Sequence, residues 1–325
     1  MAVHPPLPPP AGRAGPLIDL HRHLEGSIRT STFLELAARD GHPLARAPRP
    51  RDLLVADGPQ GGLLPYLAKV DDQIPVIATL DDWRRVAAEA VRDAYDDGLD
   101  YVEFRFSPYF IQSQTGLAPE SVIDAVADGV RDGTAVTGLR VGLIATILRD
   151  LGPESASAQV RTFLTRAGVW CGVDLAGNEA GYAAALFTPA FALVRAAGLH
   201  ITVHAGEAAG PQSVRDAVQH LGAERIGHGV RAAEDPALLE DLARRGVTLE
   251  VALTSNTQTG AAPDYRTHQI HTLLAAGVPV TLNTDNPRVS DVTLSQEHAL
   301  ARYATGLTPE QLRKVAEQSA KAAFS

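Results

Sequence analysis

Leu17-Ile18-Asp19-Leu20-His21-Arg22-His23 is a short apolar run that ends in two histidines. In an extended strand residues i and i+2 face the same side. Both imidazoles therefore point into one space, within reach of a single metal ion. Zinc takes histidine nitrogen readily, and a catalytic site keeps one position open for water. Two ligands do not make a site, so the other strand ends must supply the rest.

Working outward, β-branched runs alternate with helical patterns. The strands expected are Leu17–His23, Tyr101–Ser107, Arg140–Leu148, Val169–Leu175, His200–His204, Arg225–His228, Thr248–Leu253 and Pro279–Thr284. Helical spacing covers Leu80–Asp97, Pro119–Thr137, Thr188–Ala197, Pro211–Leu221 and Pro236–Arg245. Gly98, Gly198, Gly222, Gly246 and Gly277 each follow a helix end, and Thr308-Pro309 with Gln311 caps the last helix. Eight strands in strict alternation predict an α/β fold, a single (β/α)8 TIM barrel. No GxGxxG follows the first strand, which removes the support for a dinucleotide-binding sheet. Residues 1–16 hold six prolines and read as a disordered arm, and 17–325 as the barrel domain. Residues 42–79, rich in Pro and Gly around Leu63, Leu64, Tyr66 and Leu67, read as a lid-like insertion over the barrel mouth.

Of the 325 residues, 45% are hydrophobic and 21% charged, as in a soluble globular protein. No apolar stretch approaches the roughly 18 residues of a membrane span. One cysteine, Cys171, excludes an internal disulfide and a CxxC knuckle and points to the cytoplasm. A net charge of −9 without basic runs argues against nucleic acid and for a small-molecule partner. On the second strand Tyr101, Glu103, Arg105 and Ser107 share the lumen face, where Glu103 and Arg105 are expected to form a structural ion pair.

A barrel of this kind works at the C-terminal ends of its strands. The first delivers His21 and His23, the fifth His204 with Glu207 just beyond, the sixth His228, and the eighth Asp285. The other histidines read differently. His4, His42, His220 and His298 are expected to be ordinary core or surface residues, and His200, at a strand start, structural. His268 and His271 have no assignment.

The segments His21-Arg22-His23-Leu24-Glu25-Gly26-Ser27, Asp174-Leu175-Ala176-Gly177-Asn178-Glu179, His204-Ala205-Gly206-Glu207, Arg225-Ile226-Gly227-His228-Gly229 and Asn283-Thr284-Asp285 resemble those of the adenosine deaminase family, in its order and most closely its bacterial members. The resemblance implies one zinc ion per chain, held by His21, His23, His204 and Asp285. It implies proton transfer to purine N1 by Glu207, a water held by His228 and Asp285, and a Gly177 N–H presented to purine N3. Zinc lowers the pKa of bound water to about 7. The implied reaction is hydrolytic deamination of adenosine or 2′-deoxyadenosine, with a purine nucleoside as the small-molecule partner and neither nucleic acid nor membrane expected. The cytidine-deaminase design needs a PCxxC pair that one cysteine cannot supply.

Two positions depart from the family. Asn286 stands where a second aspartate is usual. It reads either as a donor to N7 or as a loop-capping residue before Pro287. Glu25 replaces an aspartate near the ribose. These departures keep adenine and aminodeoxyfutalosine-like nucleosides open as substrates. The rival reaction class is a binuclear amidohydrolase, for which Val169–Gly177 lacks a bridging lysine and only Glu179 follows as a ligand. A non-catalytic binding protein is a third reading. The sequence leaves oligomeric state and the physiological metal (Fe²⁺, Mn²⁺ and Co²⁺ accept similar ligands) undetermined.

Overall fold

The computed structural model describes residues 15–324, so most of the expected Pro-rich arm, His4 included, lies outside the described residues. Eight parallel strands follow one another in chain order around a barrel: β1 Ile18–His23, β2 Tyr101–Phe106, β3 Arg140–Leu148, β4 Gly172–Ala176, β5 His200–Ala205, β6 Arg225–His228, β7 Thr248–Val251 and β8 Val280–Leu282. The expected (β/α)8 architecture is present, with flanking helices. Closure between β1 and β8 is made at the rim. Asp285 N donates to His21 O at 2.8 Å, His23 N to Asp285 O at 2.7 Å, and Leu20 N to the Asn283 side chain at 2.9 Å.

Strand β1 is not regular. Its pairing to β2 slips by one residue between Asp19 and Arg22, a bulge within Leu20–His21. His21, at the bulge, and His23, just past it, still turn toward one another's space, their ring centroids 5.4 Å apart. Strand β4 begins three residues later than expected, because Ala167–Val169 wind into a 3₁₀ turn. Strand β7 stops at Val251, because Leu253 opens a short helix, Leu253–Thr259, that local spacing does not announce. Its sequence, Leu-Thr-Ser-Asn-Thr-Gln-Thr, has weak helix propensity. What holds its start is a distant carboxylate: Glu297 accepts Leu253 N at 2.9 Å and Thr254 N at 3.1 Å.

The helices Pro119–Thr137 and Pro236–Arg245 have the expected bounds, and Thr308 with Gln311 forms a full capping box. The stretch Pro211–Leu221 is helical but changes to a π turn from Ala217. Within 42–79 the helix Leu63–Asp71 lies across the C-terminal mouth, tied down by Tyr66 Oη with Ser290 Oγ at 2.7 Å. No helix among the described residues is long and apolar enough to cross a membrane.

Val102, Phe104 and Phe106 of β2 pack outward into the main apolar core, while its polar residues turn into the lumen. The expected Glu103–Arg105 pair does not form. Two positions on one strand face point in parallel, so each meets partners across the barrel instead. Arg225 bonds Glu103 at 2.5 Å and Glu250 at 2.6 Å; Arg105 bonds Glu250 at 2.9 Å and Asp174 at 3.2 Å. All five side chains are buried, and Phe324 beneath stacks on Arg225. Removing one partner of such a network strands a buried charge, which costs about 3–5 kcal/mol. Glu103→Leu should therefore lose about that much stability in urea unfolding, with the far-UV spectrum of the folded state unchanged.

Candidate active site

Two of the buried charges reach upward to the rim. Glu250 Oε2 lies 2.8 Å from His21 Nδ1, and Asp174 3.0 Å from His204 Nδ1. A carboxylate on Nδ1 keeps the proton there and leaves Nε2 as a lone pair aimed into the lumen. His21 Nε2 is accordingly buried with no hydrogen-bond partner. His23 Nε2 and His204 Nε2 face each other at 3.1 Å, and Asp285 Oδ1 lies 3.4 Å from both His21 Nε2 and His23 Nε2. One atom from each of His21, His23, His204 and Asp285 lies within 4.8 Å of the others. Three imidazoles and one carboxylate converging this closely fit a divalent cation such as zinc, which accepts histidine nitrogen and carboxylate oxygen. Asp285 Oδ2 is fixed from behind by Ser255 Oγ at 2.6 Å.

His228 and Asp285 both have φ of 61°. A non-glycine residue pays about 1–2 kcal/mol in that left-handed region. Such strain at the end of β6 and just past β8 is of the kind that clusters at functional sites. His228 Nε2 lies 3.5 Å from Glu207 Oε2, and its ring stands 4.9 Å from that of His21. Burial and the surrounding histidines hold the His228 imidazole well below its usual range, so it is neutral. Burial, helped by the Asp285 and Glu179 carboxylates, raises Glu207 well above the ordinary carboxylate range, which favours its protonated form.

Glu179, the candidate extra ligand of a binuclear site, is otherwise engaged. It accepts the backbone N–H groups of Gly206, Glu207, Ala208 and Ala209 at 2.6–3.1 Å. It clamps the loop that carries Glu207 and is absent from the metal-ligand cluster. Asn256 and His268 are functional neighbours that the sequence reading missed. Asn256 bonds His228 at 3.0 Å, and His268 bonds Asn256 at 3.2 Å. No spacing rule could have found them, since both act across the fold.

A cavity of about 370 Å³ opens over these groups, lined by His23, Glu25, Gly177, Glu207, His228, Asp285 and Asn286, with Leu63, Tyr66 and Leu67 as its roof. Gly177 has φ of 97°, and a Cβ there would sit 2.3 Å from Asp150 Oδ2; only glycine fits. Asn286 Nδ2 donates to Asp285 Oδ1 at 2.8 Å, and its side chain occupies the space a Cβ on Gly26 would need. Glu25 Oε1 accepts Ser107 N at 2.8 Å, while Oε2 is buried without a partner. Burial pushes Glu25 up to about 7. His200 and His42 have the ordinary roles expected: His200 meets Glu224, and His42 caps a 3₁₀ turn. Removing the acceptor behind a ligating histidine typically weakens metal affinity about 10–100-fold. Asp174→Ala should show that loss in chelator competition.

The adenosine deaminase family model matches residues 16–325. An adenosine deaminase of Escherichia coli is 41% identical over 313 residues, covering 95% of this chain and 93% of that one. A zinc-bound amidohydrolase from Burkholderia ambifaria superposes with a TM-score of 0.89 at 28% identity, over 96% of this chain and 86% of the other. An N6-methyl-AMP deaminase from Arabidopsis thaliana gives a TM-score of 0.82 at 29% identity, over 96% and 93%. With its motifs, barrel and rim cluster in agreement, the chain belongs to the adenosine deaminase family.

Proposed function

We propose that this enzyme hydrolyses the 6-amino group of adenosine and 2′-deoxyadenosine, giving inosine or 2′-deoxyinosine and ammonia, with one zinc ion on His21, His23, His204 and Asp285. The observation that carries the reading is the buried Glu207 carboxyl, raised well above the ordinary carboxylate range, in the cavity beside that four-ligand cluster. When bound, zinc supplies Lewis acidity and a nucleophilic water at neutral pH. Charge supports a single ion. Within the hydrogen-bonded network the carboxylates of Glu103, Asp174, Glu250 and Asp285 face only two guanidiniums, Arg105 and Arg225, and one divalent cation cancels the difference.

The protein groups divide the remaining work. Glu207 gives its proton to purine N1, which makes C6 electrophilic as water adds there. Asp285, a carboxylate among imidazoles, accepts the proton that the water loses, and His228 holds the oxygen in place. The proton passes to the 6-amino group, C6–N6 breaks and ammonia leaves; N1 retains the proton that Glu207 gave, and the C6 hydroxyl gives up its remaining proton, which restores Glu207 to its acid form as the 6-oxo group forms. Asn286 has two amide hydrogens. One serves Asp285, and the other is available for N7. The Gly177 N–H is assigned to N3, and Glu25 to the sugar end.

That sugar end favours a nucleoside over a nucleotide. Glu25, Asp71 and Asp150 line it, and burial with the nearby Asp150 pushes Asp71 up to about 6. A 5′-phosphate would bring two further negative charges against them. In an absorbance screen of zinc-loaded enzyme, adenosine and 2′-deoxyadenosine should be deaminated at least about tenfold faster in kcat/KM than AMP, N6-methyl-AMP or adenine. Faster turnover of either nucleotide overturns the nucleoside assignment. Glu207→Gln removes a proton donor but no ligand. It should retain zinc while losing about 10²–10⁴-fold in kcat; parental turnover would remove Glu207 from the mechanism.

A further inference from the structure

An imidazole that accepts a hydrogen bond at one ring nitrogen carries its proton on the other. Which nitrogen of His228 faces the cavity as a donor decides what the residue can do there. A hydrogen-bond chain leading away from the site answers this from a donor whose identity is certain. The backbone N–H of Ile270 donates to His268 Nδ1 at 3.0 Å. That nitrogen is therefore a lone pair, and the His268 proton sits on Nε2. The ring is 2% exposed, and burial pushes it down to about 3, so a second proton does not enter.

His268 Nε2–H must then meet an acceptor. It faces Asn256 Oδ1 at 3.2 Å. Rotating the Asn256 amide by half a turn would set its NH₂ against this N–H, donor against donor. The amide orientation is thereby fixed, and Asn256 Nδ2 donates to His228 Nδ1 at 3.0 Å. His228 Nδ1 is an acceptor, and its only proton lies on Nε2, toward Glu207 and the metal cluster. Asn256 and His228 are 0% and 1% exposed, so neither has a solvent partner in exchange.

We propose that Asn256 and His268 are positioning residues that lock His228 as the Nε2–H tautomer, making it a fixed donor to the reacting water and not the base that deprotonates it. The inference rests on the deaminase reading above for the identity of that water, but the tautomer itself does not. A donor locked before substrate arrives needs no reorganisation as charge develops on the attacking oxygen. It also leaves Asp285 as the acceptor of the water's proton, since a nitrogen already bearing hydrogen cannot take another without becoming a buried cation.

The test is long-range ¹H–¹⁵N correlation on the zinc-loaded, full-length enzyme labelled with ¹⁵N-histidine, with the His228 signals assigned by their loss in His228→Gln. In the parent, His228 Nε2 should be protonated and Nδ1 should show the shift of an unprotonated nitrogen. In Asn256→Asp a carboxylate demands a proton on Nδ1, so the pattern should reverse, and kcat should fall about 10²–10³-fold with KM little changed. His268→Gln, whose amide can still donate to Asn256, should keep the parental tautomer and lose less activity than His268→Leu. A protonated Nδ1 in the parent overturns the proposal. So does an unprotonated Nδ1 in Asn256→Asp, whatever its kcat, because Asn256 would then be merely structural. Should the parent show the expected tautomer yet leave adenosine untouched, the substrate assignment falls and the locked donor stands.

Discussion

Closing the barrel is the constraint from which the site follows. A sheet of eight parallel strands has two edges, and here they meet through residues 283–285 running beside the end of β1. The backbone N–H and C=O of Asp285 are both consumed by β1, one on His21 and one on His23. That bridge sets the Asp285 carboxylate beside the two imidazoles and forces its backbone into the left-handed region. The strain of about 1–2 kcal/mol is offset because the same hydrogen bonds also seal the sheet. Metal geometry and fold closure are thus one feature, and neither can drift without the other.

Beneath the rim lies a layer that a stability argument alone would not predict. Five buried charged side chains, Glu103, Arg105, Asp174, Arg225 and Glu250, fill space that apolar residues could occupy at lower desolvation cost. Their value lies in direction. Glu250 and Asp174 each join an arginine to a ligating imidazole, through Oε2 and Oδ2 respectively. The guanidiniums hold the carboxylates, the carboxylates hold the Nδ1 protons, and the Nε2 lone pairs are left to converge. The layer converts barrel packing into ligand orientation.

This division explains how much the sequence could reveal. His21-Arg22-His23 was readable because strand periodicity is local, and His204, His228 and Asp285 because each ends a β-branched run. The barrel was readable from alternation. The pairing of Glu103 and Arg105 was not, since partners on separate strands are set by closure, and adjacent positions on one strand suggested each other wrongly. The helix Leu253–Thr259 escaped notice because its cap, Glu297, lies 44 residues away. With it went Ser255 and Asn256, whose contacts to Asp285 and His228 exist only once that helix is in place.

Glu179 shows how one side chain can serve both fold and chemistry. Four backbone N–H groups on successive residues, 206 to 209, converge on its two oxygens, which curls the loop after β5 into a fixed cradle and drives Glu207 into the cavity. That carboxylate also acts on its neighbour: with burial and Asp285, it raises Glu207 above the ordinary carboxylate range. A neutral amide of the same shape would accept fewer of these N–H groups and would leave Glu207 easier to ionise, and an ionised Glu207 has no proton to offer a purine ring. Loop conformation and acid strength therefore depend on the same negative charge.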